Sequence, residues 1–142
     1  MGRVLGLVAG ALVACLALLA LAVFLTRDED NIQADNLLAE RFTREVATTE
    51  DGTVDLREVA DFEWDRALLV APGTPRDAIS RRLGREWTGI DTVDGGDLLI
   101  FLRGEEVVRF ADYRGSARFE GFSRPFADLP PVLKVQSLII RP

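Results

Sequence analysis

The feature that most constrains this chain is an uninterrupted apolar run from position 4 to position 25. The run contains no charged residue, proline, asparagine or glutamine. At 1.5 Å per residue, a helix of about 22 residues rises roughly 33 Å, which matches a hydrocarbon core about 30 Å thick. Arg3 precedes the run, whereas acidic residues follow Arg27 behind it, so the positive-inside rule favours a cytoplasmic N-terminus. The sequence therefore predicts a single-pass membrane anchor that holds the remaining chain outside the cytoplasm.

Two other interpretations of this segment stay open. Ala20, Leu21 and Ala22 form a small-x-small pattern that suits cleavage by a signal peptidase before Val23. Residues 12–15, Leu-Val-Ala-Cys, resemble a lipobox, in which Cys15 is acylated and becomes the new N-terminus. Lipoproteins usually turn polar soon after that cysteine, whereas this chain stays apolar. We therefore expect a retained anchor, with cleavage or lipidation at Cys15 as the alternatives.

Histidine is absent from the chain, and Cys15 is the only cysteine. These counts exclude an intramolecular disulfide, histidine-dependent catalytic triads and metal sites built on histidine or on several cysteines. Carboxylate, lysine and tyrosine chemistry remains available. We predict no cofactor, no metal site and no catalytic residue.

The charge balance argues against nucleic acid as a partner. The chain has 17 basic and 23 acidic residues and a formal net charge of −6, whereas phosphate backbones are bound by clustered lysine and arginine. Every basic residue except Lys134 is an arginine, a bias that is typical of bacteria with GC-rich genomes. We therefore expect a bacterial envelope protein.

The residue pattern divides the chain into three parts. Residues 1–26 form the anchor or signal segment, residues 27–34 form a short spacer, and residues 35–142 form one extracytoplasmic domain of ordinary size. We expect this domain to have an α+β fold, in which two helices pack on a mainly antiparallel sheet.

The first helix of the domain is predicted from its cap and its periodicity. Asp35 is a suitable N-cap, and Leu38, Phe42 and Val46 recur at four-residue spacing. Residues 48–53 contain an Asp-Gly pair, which predicts a turn after this helix.

Strand character and a second helix are predicted next along the chain. Residues 54–71 alternate between polar and apolar before a short apolar run, which favours a strand. Thr74, followed by proline, predicts a helix start, while Ile79 and Leu83 give that helix a buried side. Gly84 is its predicted C-cap.

The last part of the domain is predicted to be mostly β-structure. Residues 98–102 and 106–113 flank a compact turn and should pair as an antiparallel hairpin. An irregular stretch rich in glycine and arginine follows, and residues 132–140 predict a final strand.

Short motifs between residues 59 and 113 occur in a recognisable combination. Residues 62–65 form an F-x-W-D element, residues 72–75 (Pro-Gly-Thr-Pro) open the helix that ends at Gly84, and the hairpin contains Val107 and Val108. This combination resembles a group of uncharacterised small exported or membrane-anchored bacterial proteins. The resemblance implies an extracytoplasmic placement, and it supplies no activity, because the group has none assigned.

Two groups of acidic residues are candidates for cation binding. The first alternates along the predicted strand and consists of Asp61, Glu63 and Asp65. The second surrounds two glycines and consists of Asp91, Asp94 and Asp97. The second group lacks the ligand spacing of an EF-hand loop. A solvated strand face and a glycine turn explain the two groups better than a metal site.

Arginine-rich positions are the candidates for an interaction surface. The candidates are, in chain order, Arg81, Arg82, Arg85, Trp87, Arg114 and Arg118. The first three end the second predicted helix. Cations at that position are stabilised by the helix dipole, and they could also bind anionic lipid headgroups. Trp87 lies beyond that helix and, like the other large aromatic residues, is predicted to be core, with a place in a groove as its alternative.

These observations favour a non-enzymatic module that binds another envelope or secreted protein. One alternative is a carboxylate-based hydrolase with a pair drawn from Glu63, Asp65 and Glu86, since two carboxylates about 5 to 9.5 Å apart can cleave a glycosidic bond. A small domain with short loops leaves little room for such a cleft. The other alternative is a ligand-binding lipoprotein, and the oligomeric state stays open.

Overall fold

The computed structural model describes residues 34–90 and 95–142, together with Cys15, Ala17 and Leu18. The chain divides into two units, Met1–Asn31 and Ile32–Pro142. Apart from three exposed helical residues, the predicted anchor at 4–25 lies outside the described residues, as does the spacer before Ala34. Within the described ranges, no helix has the length and apolar content that crossing a membrane requires.

The second unit contains three helices and eight strands among its described residues. They are, in chain order, α1 (Asn36–Thr48), β1 (Asp51–Asp55), α2 (Leu56–Val59), β2 (Arg66–Val70), α3 (Arg76–Leu83), β3 (Asp97–Arg103), β4 (Glu106–Tyr113), β5 (Arg118–Phe119), β6 (Phe126–Leu129), β7 (Val132–Gln136) and β8 (Ile139–Arg141).

The strands form two four-stranded sheets instead of the single sheet that was predicted. The first sheet has the order β4-β3-β2-β6 and is antiparallel throughout. The second has the order β1-β7-β8-β5, and only its β5–β8 pair is parallel. The prediction of an α+β fold with mainly antiparallel pairing is thus confirmed, whereas the expected number of sheets and helices was too small.

The first sheet is buried on both faces, which explains why β3 is continuously apolar. Its residues from Leu98 to Leu102 are at most 1% exposed. Leu99 and Phe101 belong to one hydrophobic core, while Leu98, Ile100 and Leu102 belong to a second core on the opposite face. A strand covered on one face only would alternate between apolar and polar residues.

The first core fills the space between the two sheets and is covered by α1. The predicted periodicity of this helix is confirmed, because Leu38, Phe42 and Val46 are its buried residues. The Phe42 ring meets the edge of Tyr113 at 5.1 Å between centroids and stacks on Phe119 at 6.2 Å. The inner face of the second sheet contributes further aliphatic residues to the same core.

The second core lies between the first sheet and α3. Ile79 and Leu83 face this core, as predicted, and Trp87 is fully buried beside them. The indole Nε1–H of Trp87 donates to the Ile90 carbonyl (2.9 Å), and the ring meets the edge of Phe110 at 5.0 Å. Trp87 therefore lies in the core, as predicted, and the alternative of a surface groove is wrong, because the ring is buried and its polar atom is satisfied internally.

The ends of α3 differ slightly from the prediction. Gly84 is the C-cap and adopts the left-handed conformation (φ 71°), as expected. The N-cap is Pro75 and not Thr74, whose hydroxyl donates to the Ala71 carbonyl (2.7 Å) and stabilises the preceding turn.

Three segments adopt structures other than those predicted. Residues 48–53 were expected to be a turn, but β1 begins within them. The strand expected over residues 54–71 is broken by α2, so that its first two residues end β1 and its last part is β2. The final strand expected at 132–140 is two strands, β7 and β8, joined by a tight turn at Ser137 and Leu138.

Asp35 links the first residues of the domain to β4. Its carboxylate accepts from the Leu38 N–H (2.9 Å) as the N-cap of α1 and pairs with Arg109 on β4 (2.7 Å). Its own N–H donates to the Phe110 carbonyl (2.8 Å). Burial raises the pKa of Asp35, but the hydrogen bonds from Leu38 and Arg109 and the charge of Arg109 outweigh it and hold this pKa below its ordinary value.

Candidate functional site

The three arginines at the end of α3 do not form a bare cationic patch. Arg81 lies 3.7 Å from Asp77 one turn earlier, and Arg82 lies 3.1 Å from Asp128 on β6. Arg85 borders a cleft of about 580 Å³ beside the β3–β4 turn, whose other charged residues are one arginine and two glutamates. Carboxylates therefore accompany this predicted surface, which weakens its attraction for anionic headgroups.

The other two predicted arginines lie elsewhere on the domain. Arg114 pairs with Asp112 (2.6 Å) and lines a groove of about 490 Å³ beside α1. Arg118 is part of β5 and lies 3.9 Å from Glu120. Helices α1 and α3 cover opposite faces of the first sheet, and β5 belongs to the second sheet, so the predicted candidates do not make one surface.

The F-x-W-D element has a structural role in this fold. Phe62 and Trp64 both meet the ring of Phe101 edge-on, at 5.5 Å and 5.3 Å between centroids. The carboxylate of Asp65 accepts from the Gly104 N–H (2.6 Å) and so fixes the β3–β4 turn. The aromatic residues close the edge of the first core, and the aspartate ties this irregular segment to the hairpin.

The acidic row that contains this element is engaged within the domain. Asp61 pairs with Arg41 (2.9 Å), and Glu63 lies 3.5 Å from Arg103. Asp65 fixes the turn described above. The row does not lie on a strand, which corrects the prediction of a strand face, although its side chains do alternate in exposure with their aromatic neighbours. Glu86, the third member proposed for a hydrolytic pair, is exposed.

The glycine turn with three aspartates is only partly described. Asp91 and Asp94 lie outside the described residues, whereas Asp97 begins β3 and pairs with Arg124. In the described ranges, no three residues of the types His, Cys, Asp or Glu are arranged to hold a metal ion.

Tyr113 is buried and belongs to the core. Burial raises the pKa of its hydroxyl, the hydrogen bond from the Ala117 N–H (3.2 Å) lowers it, and the Asp97 carboxylate raises it, with a net rise. The hydroxyl therefore stays protonated at neutral pH. Gly115 passes directly over this hydroxyl, where a Cβ atom would clash.

The open edge of β1 is the surface that sequence reasoning missed. In the described part of the chain, β1 pairs with β7 on one side and with no strand on the other. At its two ends, the Ser137 N–H donates to the Glu50 carbonyl (3.2 Å) and the Leu56 N–H donates to the Pro131 carbonyl (2.8 Å). Because hydrogen-bonding residues alternate in antiparallel pairs, the even-numbered residues of β1 direct their main chain to β7. The odd-numbered residues, Asp51, Thr53 and Asp55, direct theirs to the open side.

The other sheet edges described are less suitable for an added strand. β5 and β6 contain two and four residues. β4 is longer, but a bulge makes Val108 an extra residue opposite Phe101 and Leu102, and the bridge between Ala34 and Phe110 occupies its outer side. Bulges and edge coverage oppose pairing with another chain. The regular, exposed edge is that of β1, where Asp51 and Thr53 are both exposed.

The sequence contains only a weak sign of β1. Asp51 and Gly52 are typical of turns, and the strand has just one buried side chain, Val54. The alternation Thr53-Val54-Asp55 agrees with a strand covered on one face, but it is too short to distinguish a strand from a turn.

No protein-family model, curated protein or solved structure matches this chain.

Proposed function

We propose that residues 35–142 form a non-enzymatic protein-binding module that is held at the outer face of a bacterial membrane by residues 4–25. The observation that carries the proposal is the open edge of β1, which directs main-chain groups of Asp51, Thr53 and Asp55 away from the sheet. Such an edge accepts an extended segment of another protein as an additional strand.

The edge offers five main-chain groups to a partner. These are the N–H and C=O groups of Asp51 and Thr53 and the N–H of Asp55, because the Asp55 carbonyl begins α2 as its N-cap. Each hydrogen bond contributes about 1 kcal/mol net. The cost of association is at least about 4 kcal/mol, so the hydrogen bonds of this edge exceed that cost only slightly. A modest affinity follows, which suits a partner that is concentrated near the same membrane.

The placement at the membrane is supported by the first segment of the sequence. Its length and its flanking charges suit a single-pass anchor with the domain outside. Fractionation of expressing cells, followed by the intact mass of the mature protein, tests this placement. A full-length mass in the membrane fraction agrees with the anchor, whereas a mass lacking about 22 residues or one starting at acylated Cys15 contradicts it.

A photo-crosslinking residue in place of Thr53 tests the binding edge in cells. The matched control carries the same residue in place of Arg141, which lies on the same face of the sheet two strands away, at roughly 10 Å. We expect a protein adduct with the first variant and much less with the second. Equal adducts, or none above an unrelated anchored protein, would refute the proposal.

Thr53→Pro is the sharper disruption of the same edge. Proline removes the outward N–H of Thr53 and blocks the approach of a strand, while every hydrogen bond to β7 stays in place. Thr53→Ala keeps that N–H and is the control. We expect Thr53→Pro to abolish the adduct with a crosslinker at Asp51, while Thr53→Ala preserves it.

A further inference from the structure

We infer that the strand paired with β1 comes from a different protein and carries two basic side chains, four residues apart, opposite Asp51 and Asp55. This inference rests on the proposed function, because it names the chemistry of the partner at the same edge. It depends on the register of β1, on the charges that line the edge, and on the self-pairing that those charges oppose.

The register of β1 places its acidic side chains beside the open edge. Residues that direct their main chain outward are Asp51, Thr53 and Asp55, and alternate residues of a strand share one face. An added strand would therefore place one side chain opposite each of them, with Cβ atoms about 4.5 to 5.5 Å apart. Asp51 and Asp55 would face residues separated by four positions in the partner.

Neither carboxylate forms an ion pair with another described residue. The strand on their other side, β7, places Gln136 opposite Asp51, Lys134 opposite Thr53 and Val132 opposite Asp55, so Lys134 is a diagonal neighbour of both aspartates. Asp51 forms no ion pair or hydrogen bond with another described residue. Asp55 uses one oxygen as the N-cap of α2, where it accepts from the Arg57 N–H (2.8 Å), and keeps the other oxygen. Arginine or lysine opposite these positions would form cross-strand ion pairs.

The same charges oppose the pairing of two copies of this chain. If two β1 edges met in antiparallel register about a two-fold axis at Thr53, Asp51 of each copy would lie opposite Asp55 of the other. Like charges directly opposite each other destabilise a sheet, and charged edges are a common protection against self-association. Repulsion of a second copy and attraction of a basic segment therefore arise from the same two residues.

The test uses the full-length protein in nanodiscs of neutral lipid and two fluorescein-labelled peptides. The basic peptide is Gly-Ser-Arg-Val-Thr-Val-Arg-Ser-Gly, and its counterpart has glutamate at both arginine positions. Fluorescence anisotropy measures binding at about 50 mM and 300 mM salt. We expect the basic peptide to bind at least tenfold more tightly at low salt, and this preference to shrink at high salt because exposed charges are screened.

Two sets of variants connect binding to the edge and to its charges. The double variant Asp51→Asn/Asp55→Asn removes both charges, and asparagine at position 55 keeps the N-cap of α2. We expect this double variant to reduce the preference to less than about twofold. The control pair, Glu40→Gln and Glu45→Gln on α1, changes the net charge equally away from the edge and should leave the preference intact.

The outcomes separate the inference from the function on which it rests. If both peptides bind equally well and Thr53→Pro abolishes their binding, the edge is a binding site and the basic partner is wrong. If the basic peptide binds but Thr53→Pro has no effect, the binding lies elsewhere and the proposed edge is wrong. If the basic peptide does not bind at millimolar concentration, or if the control pair abolishes the preference, the inference is overturned.

Discussion

Substitutions of Asp35 test how the start of α1 is held against β4. Asp35→Ala removes both the N-cap of α1 and the ion pair with Arg109, whereas Asp35→Asn removes the charge and keeps a good N-cap. The cap contributes about 1 kcal/mol. The ion pair contributes less than about 1 kcal/mol, because the Arg109 side chain is 49% exposed and solvent screens it.

These contributions predict an ordered pair of effects. Asp35→Ala should lower the free energy of unfolding by about 1 to 2 kcal/mol, and Asp35→Asn by less than about 1 kcal/mol. The corresponding falls in melting temperature are roughly 4 to 8 °C for the alanine variant and less than about 4 °C for the asparagine variant. Urea denaturation of the full-length protein in detergent, followed by tryptophan fluorescence, measures the free energy of unfolding of each variant, since Trp64 and Trp87 belong to the domain.

The pH dependence isolates the charge of Asp35. Its pKa is lowered by folding, so its ionised form stabilises the domain fully above the unfolded pKa of about 3.9. This stabilisation is lost as the pH falls through the lower pKa of the folded state. The difference between the wild-type protein and Asp35→Asn should thus be constant at neutral pH and should vanish in acid. Equal losses in the two variants, or a difference that persists in acid, would refute this account.

The remaining predictions concern the core and two backbone positions. Trp87→Ala should cost about 3 to 5 kcal/mol in urea denaturation, because it empties a fully buried site; a loss below 1 kcal/mol would contradict the burial. Gly96→Ala should cost about 1 to 3 kcal/mol, since its Cβ would lie 2.6 Å from the Tyr113 carbonyl oxygen; calorimetry would show an unchanged melting temperature if that contact were absent. Replacing Ser137 and Leu138 by Asn-Gly should raise the melting temperature, because both residues have positive φ angles (49° and 60°) that suit Asn-Gly.

The elements that the sequence predicted well are those with long local patterns. Helix α1 has an N-cap and three buried residues at regular spacing, and the β3–β4 hairpin joins two apolar strands through a compact turn. Both patterns depend on residues close together in the chain. The tight turn between β7 and β8 was missed because Ser137 and Leu138 are not residues that usually adopt positive φ angles.

The second sheet could not be predicted, because its pairing is not local. β1 pairs with β7, roughly 80 residues later, and β5 and β8 contain two and three residues. A sheet edge is a property of the whole topology, so the candidate binding surface at Thr53 has no local signature. The predicted arginines do not form a single surface, for the same reason. Whether Arg85 and Arg118 belong to the same layer depends on the topology and is not visible in the sequence.

The attachment at Asp35 also determines where a mechanical load would enter the domain. A pull on the chain before Ala34 reaches Asp35 first, and there the hydrogen bond to Phe110 and the ion pair with Arg109 pass the tension to β4. β4 is paired on both sides of its bulge with β3, whose residues from Leu98 to Leu102 are at most 1% exposed. Tension therefore reaches the central sheet before it can unwind α1, and Asp35 acts as a mechanical clamp for the helix that follows it.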